Sequence, residues 1–164
     1  MKEYQQGYTS MQYDNIILDN LSDLLDLWLL ELDSSGKYKD FRQAYQVVYQ
    51  SLKRLTREST TLECNTIFTA WSDNTELTLP NGEKCLRLQP KIPGKILDNI
   101  CGLMNIVAYI NTIEKEGKRY WYYVLEGMQT LIAKDQIGNR KTCMPEQLFT
   151  FKAAAEEPTA GATK

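Results

Sequence analysis

The sequence contains no histidine. A Ser-His or Cys-His nucleophile is therefore excluded, and a zinc site loses its commonest nitrogen ligand. Its cysteines, Cys64, Cys85, Cys101 and Cys143, form no C-x-x-C pair. They read as reduced, mostly buried thiols of a cytoplasmic protein. No apolar run approaches the ~18 residues that a membrane-spanning helix needs, and the N-terminus, MKEYQQGYTS, is polar, unlike a signal peptide. Charge of one sign is also lacking. The net charge of −2 gives no global attraction to nucleic acid, so any such contact has to be local. Acid–base chemistry is left to carboxylates, lysines and tyrosines.

What remains is an ordinary globular chain. It has 164 residues, 43% of them hydrophobic and 24% charged, enough for one domain with a core. No internal repeat is visible. Residues 1–12 read as a polar lead-in, 13–151 as the folded core and 152–164 as a disordered tail.

Within the core, the stretch YDNIILDNLSDL (13–24) organises the rest. Ile16, Ile17 and Leu18 make a short buried strand over 15–19, ending on Asp19. Leu21, Leu24, Leu25, Trp28 and Leu32 then recur at helical spacing, predicting a helix over 20–33 whose extra leucines, Leu27, Leu29 and Leu30, touch a second layer. A carboxylate at the tip of such a strand is where ligands gather in open α/β sheets and where P-loop NTPases hold Mg²⁺. Equally, Asp19 or Asn20 caps the helix. The two readings stand side by side at this point.

Further along, Asp40 caps a helix over 40–57 with the apolar stripe Phe41, Ala44, Tyr45, Val48, Leu52 and Leu55. ECNTIFTAW predicts a second buried strand over 63–71, broken by Ser72, Asp73 and Asn74. Asn81-Gly82 marks a hairpin of 75–79 with 84–88. A loop over 89–93 precedes a helix over 94–101 that Gly102 ends. Strands follow at 103–113, 119–125 and 130–133, then a polar loop over 134–141 and a helical turn near 145–148. The order predicts an α/β fold with a parallel portion first and an antiparallel C-terminal extension.

Three stretches in this order carry a resemblance: YDNIILDNLSDL, TIFTAWSD, and PKIPGKILDNICGLMNIVAYI followed by a tyrosine-rich strand and LIAKDQIG. They resemble the Walker B strand, the γ-phosphate-sensing strand and a late Lys-Asp/Asn-Arg-Phe-Gly type motif of phage nucleotide-binding proteins, the RecA/RadA-like, Sak-type recombination ATPases. The resemblance covers about 13–150 and implies a partial RecA-like P-loop NTPase core, a parallel sheet flanked by helices. It implies Asp19 as the Mg²⁺ acid, with Asn20 and Trp71 beside the ATP, and Thr69, Trp71 and Ser72 at the sensor position. Lys134 and Arg140 become cations that reach into a neighbouring subunit's site. Each has a plainer counterpart: Trp71 as core, and Lys134 and Arg140 as a solvated basic loop.

The chain departs from that family twice. It has no G-x-x-x-x-G-K-[ST], the loop whose backbone N–H groups cradle phosphates. Gly36-Lys37, Gly94-Lys95 and Gly117-Lys118 lack both the earlier glycine and the following Ser/Thr. The expectation is that the chain matches the C-terminal two-thirds of such an ATPase and binds ATP poorly alone. Loss of the central P-loop strand would also leave unpaired strand edges, so either the chain rearranges and other strands pair, or a partner is expected: a homo-oligomer, or a chain carrying the missing P-loop. Gln136 stands where arginine is frequent, which weakens a finger role there.

For nucleic acid, Lys84, Arg87, Lys91 and Lys95 form a local basic patch with one acidic residue, Glu83, and Tyr120 to Tyr123 offer rings for stacking single-stranded DNA. Two functions stay open: part of a phage ATP-binding protein of DNA recombination or replication, and a non-catalytic oligomerisation or interaction module derived from one. An unrelated α/β scaffold is the remaining reading.

Overall fold

Asn20 starts the first helix. Its side-chain oxygen accepts the Asp23 N–H at 2.8 Å, so the cap position falls one residue after Asp19. The structure, a computed structural model, describes residues 13–38 and 40–150. The expected lead-in and tail lie outside those residues. The described chain is mixed α/β, with small parallel and antiparallel sheets and three helices. It falls into two compact units divided between Met104 and Asn105.

In the first unit, β1 (Asn15–Leu18) leads into α1 (Leu21–Ser34), and α2 (Phe41–Ser59) leads into β2 (Asn65–Phe68). β1 and β2 pair in parallel, from Asn15 opposite Asn65 to Leu18 opposite Phe68. Asp40 caps α2 by accepting the Arg42 N–H at 2.9 Å. The core lies among the helices: Leu21 and Leu25 of α1, Ala44, Val48 and Leu52 of α2, and Ile96, Leu97 and Ile100 of α3 (Gly94–Leu103). The buried stripe of α2 continues through Thr56, whose hydroxyl donates back to the Leu52 carbonyl. Phe41, expected on that stripe, is exposed.

Several elements differ from what the sequence predicts. β1 and β2 are shorter than expected and half-exposed rather than buried, with Ile17 61% exposed. Each pairs on one side only among the described residues, so neither sits inside a sheet. Leu27 and Leu30 of α1 face outward instead of meeting a second layer. The hairpin is longer than predicted: β3 (Ser72–Thr78) pairs with β4 (Lys84–Pro90) from Ser72 opposite Pro90 to Thr78 opposite Lys84. Ser72, Asp73 and Asn74 have weak strand propensity, but cross-strand pairing overrides it. Pro90 ends a strand, where its missing N–H costs no ladder bond. Gly102 does not stop α3, because the helix runs one residue further and the Met104 N–H bonds back to Ile100.

The expected strand over 103–113 is three things: the end of α3 in the first unit, and β5 (Ile106–Val107) and β6 (Tyr109–Lys115) in the second. The two strands have different partners. β6 pairs with β7 (Lys118–Val124), which also pairs with β9 (Thr142–Cys143), while β5 pairs with β8 (Lys134–Asp135). Residues 130–133 make no strand; only a Met128–Leu131 bridge forms there. The aromatic run on β7 is less buried than alternation suggested, with Tyr120 and Trp121 exposed and Tyr122 and Tyr123 half-buried. Of the cysteines only Cys143 is buried, so the mostly buried expectation fails. No described helix is long and apolar enough to cross a membrane.

Candidate functional site

The parallel register of β1 and β2 brings two strand ends together. Asp19 follows Leu18, Thr69 follows Phe68, and these last strand residues are partners. The Thr69 N–H donates to the Leu18 carbonyl at 3.1 Å, and the Leu21 N–H donates to the Thr69 carbonyl at 2.8 Å. The Thr69 hydroxyl donates to the Asp19 carboxylate. The Asp19–Asn20 peptide is cis. Because Asn20 does the capping, the Asp19 carboxylate is not spent on the helix. It is exposed, and its remaining lone pairs are open for other donors or a cation.

Trp71 extends this edge. Its N–H donates to the hydroxyl oxygen of buried Ser22 at 3.1 Å, and its carbonyl accepts the Lys91 N–H at 2.7 Å. The Lys91 ammonium stands 5.1 Å from the centre of the Trp71 rings. Trp71 is 47% exposed, so the plainer expectation of a core tryptophan does not hold. Ser72 is the first residue of β3 and is exposed.

The basic patch is divided by the pleat of β4. Arg87, Gln89 and the following Lys91 alternate onto one face, and Lys84 lies on the other, ion-paired with Glu76 at 2.7 Å. Lys95 is exposed in the first turn of α3. The Arg87 Nε and the Gln89 Oε1 are buried without a hydrogen-bond partner among the described residues. Sequence reasoning missed Gln89; period-two spacing with Arg87 and Lys91 was the available signal.

Lys134 and Arg140 belong to the second unit. Lys134 lies in β8 opposite Val107 and is half-buried. Arg140 donates through Nε to Asp135 at 2.6 Å, and its terminal nitrogens donate to the carbonyls of Gln147 and Leu148 at 2.6 and 3.1 Å. Asp135 is the centre of this loop, with its side chain 0% exposed. Its carboxylate also accepts the N–H groups of Ile137, Gly138 and Arg140. Burial alone would raise its pKa, but the bonds from Gly138, Arg140 and Ile137 outweigh that and hold it below the usual carboxylate value. A cleft of about 340 Å³ opens beside the loop, lined among others by Gly127, Lys134, Asn139 and Lys141. Sequence reasoning singled out the two cations here and missed the acid between them.

A family model described as an AAA domain matches residues 8–137. The chain belongs to the AAA domain family. No curated protein and no solved structure matches it. Members of the AAA domain family generally bind ATP with Mg²⁺, so the residues of this AAA domain can be tested for fit. Mg²⁺ keeps several waters and takes one or two carboxylates together with substrate phosphates. Asp19 supplies one accessible carboxylate beside the Thr69 hydroxyl, and no group of three metal-binding acids, cysteines or histidines converges among the described residues. That donor set fits a hydrated ion shared with a polyphosphate and does not fit an all-protein cage. The phosphate-cradling motif is absent from the sequence of this AAA domain.

Proposed function

We propose that this AAA domain is an ATPase-derived module of phage DNA recombination, with a RecA-like arrangement at the Asp19 edge. The carrying observation is the division of labour between neighbours: Asn20 caps α1, while the exposed Asp19 carboxylate takes no part in the cap and accepts from Thr69. In this reading Asp19 holds Mg²⁺ through water, with Asn20 and Trp71 lining the nucleotide side. When bound, the ion neutralises charge on the phosphates. Thr69, already hydrogen-bonded to Asp19, is the sensor hydroxyl, and Ser72 lies two residues beyond Ala70 at the same strand junction.

Lys134 and Arg140 are the candidate cations for a neighbouring copy's site, and the Arg140 guanidinium also serves Asp135, Gln147 and Leu148. Arg140 then holds the loop that presents Lys134. Arg87 and Lys95 are the proposed contacts to the phosphates of single-stranded DNA, and Lys84 is a weaker one, given its pairing with Glu76.

A second reading, a non-catalytic interaction module, is favoured by the outer edges of the β1–β2 pair, which have no partner strand among the described residues. A strand from another copy, or from a chain carrying a P-loop, would cover Ile17 and pair the free edge. Titration calorimetry of the purified chain separates the two. The ATP-binding reading predicts weak heat with ATP that requires Mg²⁺. Absence of Mg²⁺-dependent heat, together with oligomers by size-exclusion chromatography, favours the interaction module.

A further inference from the structure

We propose that Lys91 is the cation this chain itself contributes to a polyphosphate at the Asp19 edge, and that Trp71 is the rest on which its ammonium waits. The inference relies on the reading of Asp19 given above and goes beyond it, since Lys91 belonged by sequence to the nucleic-acid patch.

The connection is continuous. The last pair of the hairpin is Ser72 with Pro90, so Trp71 and Lys91 occupy the next opposed positions, and their main chains bond at 2.7 Å. Trp71 is tied to Ser22, the second residue of α1, and Leu21, the first, is tied to Thr69. Thr69 bonds Asp19. Each step from carboxylate to ammonium is therefore a direct contact within the first unit. Lys91 is exposed and pairs with no carboxylate among the described residues, whereas Lys84 is committed to Glu76.

A cation resting on an exposed ring is held weakly compared with one hydrogen-bonded to phosphate. The lysine stem is flexible, so the ammonium can leave the indole without moving the backbone that positions it. Arg87 and Gln89 continue the same face, each with one buried atom lacking a partner among the described residues. A polyphosphate is the class recognised: it offers oxygens to the ammonium and to a metal at Asp19 together.

The full chain carrying Trp28→Phe and Trp121→Phe leaves Trp71 as the sole tryptophan. Titrating it with tripolyphosphate and with ATP, each with Mg²⁺, should change Trp71 emission as the ammonium departs. Tripolyphosphate acting like ATP identifies the phosphates as the recognised part, and ATP acting alone would overturn recognition by phosphate. Lys91→Met should weaken binding about tenfold by calorimetry and abolish the emission change, with Lys91→Arg restoring affinity. Lys53→Met is the control, since Lys53 also lies over a ring, Tyr49 at 6.0 Å, but on α2. If the double tryptophan variant does not fold, calorimetry on the natural background decides by the Lys91→Met affinity alone. Unchanged affinity in Lys91→Met, with loss in Asp19→Ala, overturns this inference and leaves the Asp19 reading standing. Loss in Lys91→Met with Asp19→Ala unchanged overturns the Asp19 reading and, with it, a polyphosphate shared between Lys91 and that edge. No binding by the natural chain overturns both.

Discussion

The Thr69 hydroxyl donates to the Asp19 carboxylate, joining the ends of two parallel strands whose residues are fifty positions apart in sequence. The contact exists because strand register sets both residues one step beyond paired neighbours. It places a hydroxyl and a carboxylate at the edge where open α/β sheets bind ligands.

Thr69→Val keeps the β-branched shape and removes the donor. Asp19 is exposed and can turn to water, so stability should fall by no more than about 1 kcal/mol. If Thr69 senses the γ-phosphate, the preference for ATP over ADP should narrow. Thermal melts and the ratio of the two dissociation constants check this, and an unchanged ratio removes Thr69 from the sensor role.

Asp135→Ala should cost more stability than Arg140→Ala. The carboxylate accepts three backbone N–H groups in addition to the guanidinium, so its removal leaves several donors unpaired. Breaking a buried pair costs roughly 3–5 kcal/mol, and Asp135→Ala is expected toward the upper end. Denaturant melts of both variants give the order directly.

The same acid predicts a pH dependence. The folded Asp135 pKa is below its ordinary value, so its stabilisation is complete above the unfolded pKa of about 3.9 and fades as pH falls through the folded value. The stability gap between the natural chain and Asp135→Asn should narrow on acidification below about pH 4. A gap that widens would contradict the assignment.

Leu52 is 0% exposed among the helices of the first unit. Leu52→Ala should cost about 2–5 kcal/mol through lost burial and the cavity left behind. The exposed Leu30→Ala, at 65% exposure, should cost little unless a partner covers it. Melts at two protein concentrations check both, since concentration-dependent destabilisation by Leu30→Ala would reveal such a partner.

Local signals were legible in the sequence where local physics decides. Helical spacing and the Asp40 cap located α1 and α2, and Asn81-Gly82 located the hairpin. The parallel β1–β2 pairing also followed from strand and helix order. Strand lengths did not, because Ser72, Asp73, Asn74, Gln89 and Pro90 join the ladder through their partners and against their own propensities. The split of residues 103–113 was invisible for the same reason: β5 and β6 answer to different strands. At the candidate site, Asp19 was legible as a strand-end residue, whereas Thr69 entered through the resemblance, inside a strand expected to run to residue 71. The choice of Asn20 as the cap, the Trp71–Lys91 contact and the role of Asp135 required the fold.

Asn20 serves the helix, which in the proposed reading leaves the Asp19 carboxylate to Mg²⁺. Asn20→Ala and Asp19→Ala measured side by side, for thermal stability and for Mg²⁺-dependent ATP binding, test it most directly. Asn20→Ala should lose about 1 kcal/mol of stability and keep its Mg²⁺ dependence. Asp19→Ala should keep its stability and lose the Mg²⁺ dependence. Equal, Mg²⁺-dependent binding by Asp19→Ala and the natural chain would contradict the account.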